Sequence, residues 1–341
     1  MTPFAIAGLQ LHLSAQHHNL DHILARMDTL MFLYPWVQMV VVSELATFGG
    51  FTGHAQPLPS PAEDAYRKFA ERHKIWLVPG SLFEKCDEVV YNTAPVIAPS
   101  GEVIARYRKI FPFLPYETGV EPGEEFCIFD VPEIGRFGMS ICYDMWFPET
   151  SRTLAAMGAE VIIHPTLTNS IDRDVELSIA RSTAATNQCF VIDINGSGDG
   201  GTGQSIVVGP MGDVLYQAGH GQEMIPIEID LDRARRTREV GLRGLGQPLK
   251  SFRDRKIEFD VYKGCERCTS YLNTLGPLAK QQRGSRAGLD QAPLPPSDKP
   301  GVQPAPDEPA PAPSNPAPPG PPPPSPSSTQ SMHGQSPPNV Y

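Results

Sequence analysis

Glu44, Lys109 and Cys142 each close a short apolar run: residues 39–44, 103–109 and 138–142. Strand ends are where a rigid sheet presents side chains to a cleft, so residues distant in sequence can meet there. A carboxylate, an ammonium and a thiol supply a base, an oxyanion partner and a nucleophile, the set that acyl transfer through a covalent intermediate requires. Cys142 lies in Gly138-Met-Ser-Ile-Cys-Tyr-Asp-Met-Trp-Phe-Pro-Glu149, where an apolar strand gives way to a helix near Pro148. Backbone N–H groups at such a turn favour a thiolate and can also hold an oxyanion. A buried cysteine alone is more often inert packing, so its company decides. Glu44 ends a run of Val and Met, and desolvation there raises a carboxylate toward the range useful for proton transfer. Lys109 sits between a strand and the proline-stiffened stretch Ile110-Phe-Pro-Phe-Leu-Pro115, and a second carboxylate, Glu117, falls close enough in the chain to order it.

The elements that must position these groups alternate. Strand-like runs are expected over residues 4–11, 39–42, 75–78, 89–98 and 103–107, and then over 126–131, 137–142, 161–164, 190–194, 205–208 and 224–229. Leu20, Ile23, Leu24, Met27, Leu30 and Met31 recur at spacings of three and four, which is one face of a helix over 20–33. A second helix spans 62–73, with Pro61 at its start after Ser60, and further helices are expected over 148–157 and 175–186. This alternation implies sheets with helices on their outer faces. Turn signals at Pro99-Ser-Gly101 and Pro210-Met-Gly212 make part of each sheet antiparallel, so two mixed sheets packed together fit better than one doubly wound parallel sheet.

Five motifs in this order resemble the nitrilase, or carbon–nitrogen hydrolase, superfamily. They are Ser43-Glu-Leu-Ala-Thr-Phe48, Tyr107-Arg-Lys-Ile-Phe111, Ser140-Ile-Cys-Tyr-Asp-Met-Trp-Phe-Pro-Glu149, the stretch from Ala180 to Cys189, and the stretch from Gly203 to Gly212. The resemblance covers about residues 4–262. It implies an α-β-β-α sandwich that dimerises or assembles further through a helical face. It also implies that Glu44 is the general base, Lys109 the oxyanion partner, Cys142 the nucleophile and Glu117 a supporting carboxylate. The short separation of Glu117 from Lys109 looks like the aliphatic amidase and formamidase branch. Tyr143-Asp144 stands where nitrile-cleaving members often carry Trp-Glu, and no arginines follow the cysteine as they do in many N-carbamoyl hydrolases. A small amide, uncharged or weakly charged, is therefore the expected substrate. Tyr143 would donate its backbone N–H to the oxyanion, and Trp146, Tyr116 and Phe113 could wall the pocket. An acyltransferase, or a nitrile or N-carbamoyl hydrolase using the same residues, is the alternative. No cofactor or metal is expected.

Composition bounds the rest. Of the 37 prolines in the 341 residues, 19 fall between Leu289 and Tyr341, a stretch with no Trp, Phe or Ile. Such a segment cannot bury enough apolar surface to offset its ordering entropy, so residues 1–283 are expected to form one catalytic domain and 284–341 a disordered proline-rich tail. A formal charge of -10 argues against nucleic-acid binding, and the only basic cluster is Arg233-Ala-Arg-Arg-Thr-Arg238. The chain enters an apolar run at Phe4 with no leader or membrane-length segment before it, so a cytoplasmic location is expected, with reduced thiols. Cys265-Glu-Arg-Cys268 without a second pair is weak for zinc. Gly196 to Gly203 is glycine-rich but is followed by a strand, not the helix that a nucleotide-binding loop requires. Residues 253–278 are expected to pack on the domain or on a second subunit.

Overall fold

The computed structural model describes residues 1–280. The first half of the chain runs β1 (Pro3–Gln10), β2 (His12–Leu13), α1 (Leu20–Leu33), β3 (Met39–Val42), α2 (Pro61–His73), β4 (Trp76–Val78), β5 (Leu82–Cys86), β6 (Val89–Ile97) and β7 (Val103–Arg108). Then follow β8 (Cys127–Val131), β9 (Gly135–Met139), α3 (Pro148–Ala156), β10 (Val161–Thr166), α4 (Asp172–Asn187), β11 (Phe190–Asn195), β12 (Ser197–Gly198), β13 (Ile206–Val208), β14 (Val214–Gln217), β15 (Glu223–Asp230), α5 (Asp232–Val240), α6 (Pro248–Arg253) and α7 (Glu266–Asn273).

The strands form two large mixed sheets. One has seven strands in the order β15-β1-β3-β4-β6-β5 with β7 also on β6, and the other has six in the order β14-β13-β11-β10-β9-β8. Parallel pairs β1·β3·β4 and β9·β10·β11 sit at the centre of each sheet, where both faces are covered, and antiparallel hairpins close the edges. The period-2 alternation of a strand assigns each side chain a layer. In β1 and β3, Phe4, Ile6, Met39 and Val41 face the opposing sheet, where Phe137, Met139, Ile163 and Ile192 meet them. Ala7, Leu9, Val40 and Val42 point the other way, onto Ile23, Met27, Leu30, Tyr66 and Phe69 of α1 and α2. The second sheet is covered in the same manner by α4, through Ala180 and Ala184, and by α3, through Leu154. The result is the α-β-β-α sandwich read from the sequence.

Four strands went unread: the two-residue β2 and β12, which pair with each other, and β5 and β14. β5 and β14 are sheet edges whose sequences, Leu-Phe-Glu-Lys-Cys and Val-Leu-Tyr-Gln, carry a thin apolar signal: β5 is buried only over Leu82 to Glu84, and β14 is largely exposed. The strand expected to run as far as Cys142 ends at Met139, and a 3-10 turn over Cys142–Trp146 precedes α3. Residues 254–280 do not pack into the core: their side chains are exposed save the half-buried Cys265 and Cys268. This segment holds itself together by stacking Phe252 on Phe259, and Tyr262 Oη reaches Glu149 Oε1 at 2.7 Å. Among the described residues no helix is long and apolar enough to cross a membrane. The proline-rich stretch expected from Gly284 onward lies outside the described residues.

Candidate active site

The site forms where strand ends of the two sheets converge. Glu44 follows β3 by two residues, Lys109 directly follows β7, and Cys142 stands three residues beyond β9. Glu44 and Lys109 are fixed by their own backbones. The Glu44 N–H donates to the Thr166 carbonyl at 3.2 Å, and the next N–H, that of Leu45, donates to Ser81 Oγ at 3.1 Å. Gly80 makes this possible. Its φ is +80°, and a Cβ there would lie 1.8 Å from the Ser43 carbonyl oxygen, so only glycine lets the loop lie flat against the residue before Glu44. We expect Gly80→Ala to lower stability by about 1–3 kcal/mol and to cut turnover by displacing Glu44. Chemical denaturation and steady-state rates would check it, and unchanged values for both would refute this role.

Lys109 N–H donates to Asn92 O at 2.8 Å, which ties the lysine backbone to β6. Its ammonium is 1% exposed and bridges two carboxylates, Glu44 Oε1 and Glu117 Oε2, each at 2.9 Å. Glu117 is brought back toward Lys109 by a tight turn in which its N–H donates to Phe113 O at 2.9 Å, while Phe113 N–H donates to Glu117 Oε2 at 2.5 Å. The other oxygen of Glu44 accepts the Leu167 N–H at 2.8 Å, just past the end of β10. The Leu167 carbonyl is in turn 3.9 Å from Cys142 Sγ. Glu44, Lys109, Glu117 and Cys142 are thus gathered at one place.

Sequence reasoning missed two residues that order this cluster. The amide of Asn92, wholly buried in β6, donates to Glu44 Oε1 at 2.8 Å and to Glu117 Oε1 at 3.0 Å, spanning both carboxylates. Its signal was a polar residue within a strand-like run, at a position that proves fully buried. Asp144 is the second. Its Oδ2 accepts from Ile141 N–H at 2.9 Å and from Tyr107 Oη at 2.7 Å, and its Oδ1 accepts from Phe111 N–H at 2.8 Å. It therefore binds the cysteine turn to the strand end that carries Lys109. Cys142 has φ +45°, a left-handed conformation that costs a non-glycine residue on the order of 1–3 kcal/mol. Asp144 helps to hold that turn in place.

The electrostatics follow from burial around one cation. Desolvation raises Glu44 above its ordinary 4.5, against the pull of Lys109 and with a further push from the Glu117 charge. Burial opposes ionisation of Glu117 too, but Lys109, Phe113 N–H and Asn92 together hold it below 4.5. Burial alone would lower the Lys109 ammonium, yet the charges of Glu44, Cys142 and Glu117 keep it well above 10.5. Burial first, and then the Glu44 charge, push the Cys142 thiol well above 9.0 despite Lys109, the direction that makes a base such as Glu44 useful to it.

Beside the sulfur lies a small cavity of about 60 Å3 walled by Phe113, Tyr143, Trp146 and Leu167, with Asp172 and Glu176 at one side. Tyr143 and Trp146 both line this cavity. Tyr116 does not line this cavity. It is 55% exposed and stacks on Phe113 with ring centres 4.9 Å apart, one ring removed from the sulfur. Among the described residues no group of three His, Cys, Asp or Glu side chains is arranged to hold a metal ion. Cys265 and Cys268 lie apart from the site, at the start of α7.

The carbon–nitrogen hydrolase family model matches residues 5–239, and the chain belongs to that family. It is 30% identical over 204 residues to human omega-amidase NIT2, spanning 55% of this chain and 74% of that one. It is 33% identical over 190 residues to omega-amidase NIT3 of Saccharomyces cerevisiae, spanning 50% and 65% respectively. The crystal structure of the yeast Nit3, described as a member of branch 10 of the nitrilase superfamily, superposes with a TM-score of 0.64 at 28% identity over 70% of this chain and 94% of that one. An amidase from Nesterenkonia superposes with a TM-score of 0.61 at 25% identity, covering 68% and 92%.

Proposed function

We infer that the protein hydrolyses a short linear amide to acid and ammonia through a thioester on Cys142. The observation that carries this reading is the Lys109 ammonium, fully buried, 2.9 Å from both Glu44 and Glu117 and electrostatically coupled to the Cys142 sulfur. A structural lysine has no need of two desolvated carboxylates, and a structural cysteine has no need of either. Glu44 takes the thiol proton, and the sulfur attacks the amide carbon. The carbonyl oxygen becomes an anion held by Lys109 and by the Tyr143 N–H. Glu44 returns the proton to the departing nitrogen, the C–N bond breaks, and ammonia leaves. A water then loses a proton to Glu44 and attacks the thioester, releasing the acid and restoring the thiol. Glu117, kept anionic, holds Lys109 in place throughout. The amidases among the relatives support amide cleavage, and the small cavity supports a short acyl group.

Ammonia release from short amides, measured with and without hydroxylamine, tests this reading. We expect free acid as the main product and a minor hydroxamate fraction. A predominant hydroxamate would favour acyl transfer, and no ammonia from any amide would contradict the reading. The pH dependence is a second expected outcome. Glu44 must be ionised to accept the thiol proton, and its pKa is raised, so kcat/KM should fall as pH drops through a value above the ordinary carboxylate 4.5. An acid limb at or below the ordinary value would remove Glu44 from this role.

A further inference from the structure

We propose that the cavity beside Cys142 selects amides bearing a positive charge on the acyl chain, with Glu176 and Asp172 as the specificity-determining residues. The inference rests on Cys142 as the nucleophile, since that role requires the acyl group to occupy this space. Two carboxylates, Asp172 and Glu176, line the cavity, and none of the described residues lining it is Lys, Arg or His.

The nearby cations are already engaged. Lys109 is held between Glu44 and Glu117. Arg173, 2% exposed, donates from Nη1 and Nη2 to Asp193 at 3.0 and 3.1 Å and from Nη2 to the Gln204 carbonyl at 2.8 Å. Only a longer 3.3 Å contact from Nη1 reaches Glu176. Lys109 and Arg173 are thus each shared between two carboxylates, Glu44 with Glu117 and Asp193 with Glu176, and Asp172 adds a further carboxylate to the cavity wall. Such an excess in a low-dielectric cleft draws a cation in and repels an anion.

The walls suit the same ligand. Phe113 and Tyr143 have ring centres 5.0 Å apart, and Tyr143 and Trp146 6.1 Å apart, giving aromatic surfaces of the kind an ammonium favours. Glu176 is oriented by Thr168 Oγ1, which donates to its Oε2 at 2.7 Å, and by Trp146 Nε1, which donates to its Oε1 at 3.4 Å. Asp172, half-buried, accepts from Ser170 Oγ at 3.0 Å at the start of α4. The small volume means that the charged group must lie within a few bonds of the carbonyl. An ω-amino amide of short chain meets these conditions.

The test compares β-alaninamide, butanamide and succinamate, which share a short chain and differ in the charge at its far end. The wild-type enzyme should show kcat/KM for β-alaninamide about tenfold above butanamide and about 100-fold above succinamate, with both ratios shrinking in high salt. Glu176→Gln and, separately, Asp172→Asn should lower the first ratio toward one and raise succinamate relative to the other two. Succinamate equal to or better than butanamide in the wild type would overturn the proposal. So would variants that slow all three amides equally, because that is the behaviour of a residue that only supports the fold. If the wild type hydrolysed no amide, the amidase reading would fail by itself. Calorimetric titration of Cys142→Ala with β-alaninamide and with succinamate would still decide the charge preference: tighter binding of the cation supports it, and tighter or equal binding of the anion ends it.

Discussion

Replacement of Cys142 by alanine is expected to reduce amide turnover by about 10^4-fold or more while leaving the fold intact. The reason is chemical. With the sulfur gone, water must attack the amide directly, and neither Glu44 nor Lys109 can supply the covalent intermediate that divides the barrier in two. The fold should survive because the residue is small and its turn is held by bonds that alanine keeps. Asp144 still accepts from Ile141 N–H and Tyr107 Oη, and Asp144 N–H still donates to the Ile141 carbonyl at 3.0 Å. Circular dichroism and a melting curve overlapping those of the wild type, together with absent ammonia release, would meet the expectation. Residual activity within a factor of ten of the wild type would return Cys142 to the status of a structural thiol.

The second large effect concerns Lys109. Lys109→Met keeps the length of the side chain and removes its charge, leaving Glu44 and Glu117 buried without a cation. Breaking a buried pair from one side costs about 3–5 kcal/mol, because the remaining charge is uncompensated. Here a single cation serves two carboxylates, so we place the loss at the upper end. Its pH dependence is distinctive. In the wild type, Glu117 is held below the ordinary carboxylate value, so its contribution to stability is present above that value and is lost as pH falls through its lowered pKa. In the variant both carboxylates should have raised pKa values. Groups of that kind contribute fully below the ordinary value and lose the contribution as pH rises through the raised one. The stability gap between variant and wild type should therefore be narrowest in acid and widest near neutrality. Denaturant unfolding across that range measures it, and a gap independent of pH would mean that Lys109 does not compensate these carboxylates.

Much of this was legible in the chain because the informative residues are governed by local rules. The face of α1 could be read from Ile23, Met27, Leu30 and Met31, all of which are buried, and Ser60 accepts the Glu63 N–H that its position before Pro61 implied. Glu44, Lys109 and Cys142 were found because each follows a strand whose apolar run is plain. The residues that escaped are those whose role exists only in three dimensions. Asn92 bridges two carboxylates that lie 48 and 25 residues away from it. Asp144 binds partners 33 and 37 residues away. No periodicity marks such partners. The same holds for Gly80, whose need for a missing Cβ is set by the Ser43 carbonyl passing beside it.

The central claim is that an acyl group becomes attached to Cys142. Rapid acid quench of the enzyme during turnover of a short amide, followed by intact-mass and peptide mass spectrometry, tests it directly. The expected result is a fraction of protein heavier by the acyl group, mapped to the peptide that contains Cys142, which hydroxylamine removes and which is absent from Cys142→Ala. Continued ammonia release with no adduct on that peptide, under conditions that slow deacylation, would contradict it.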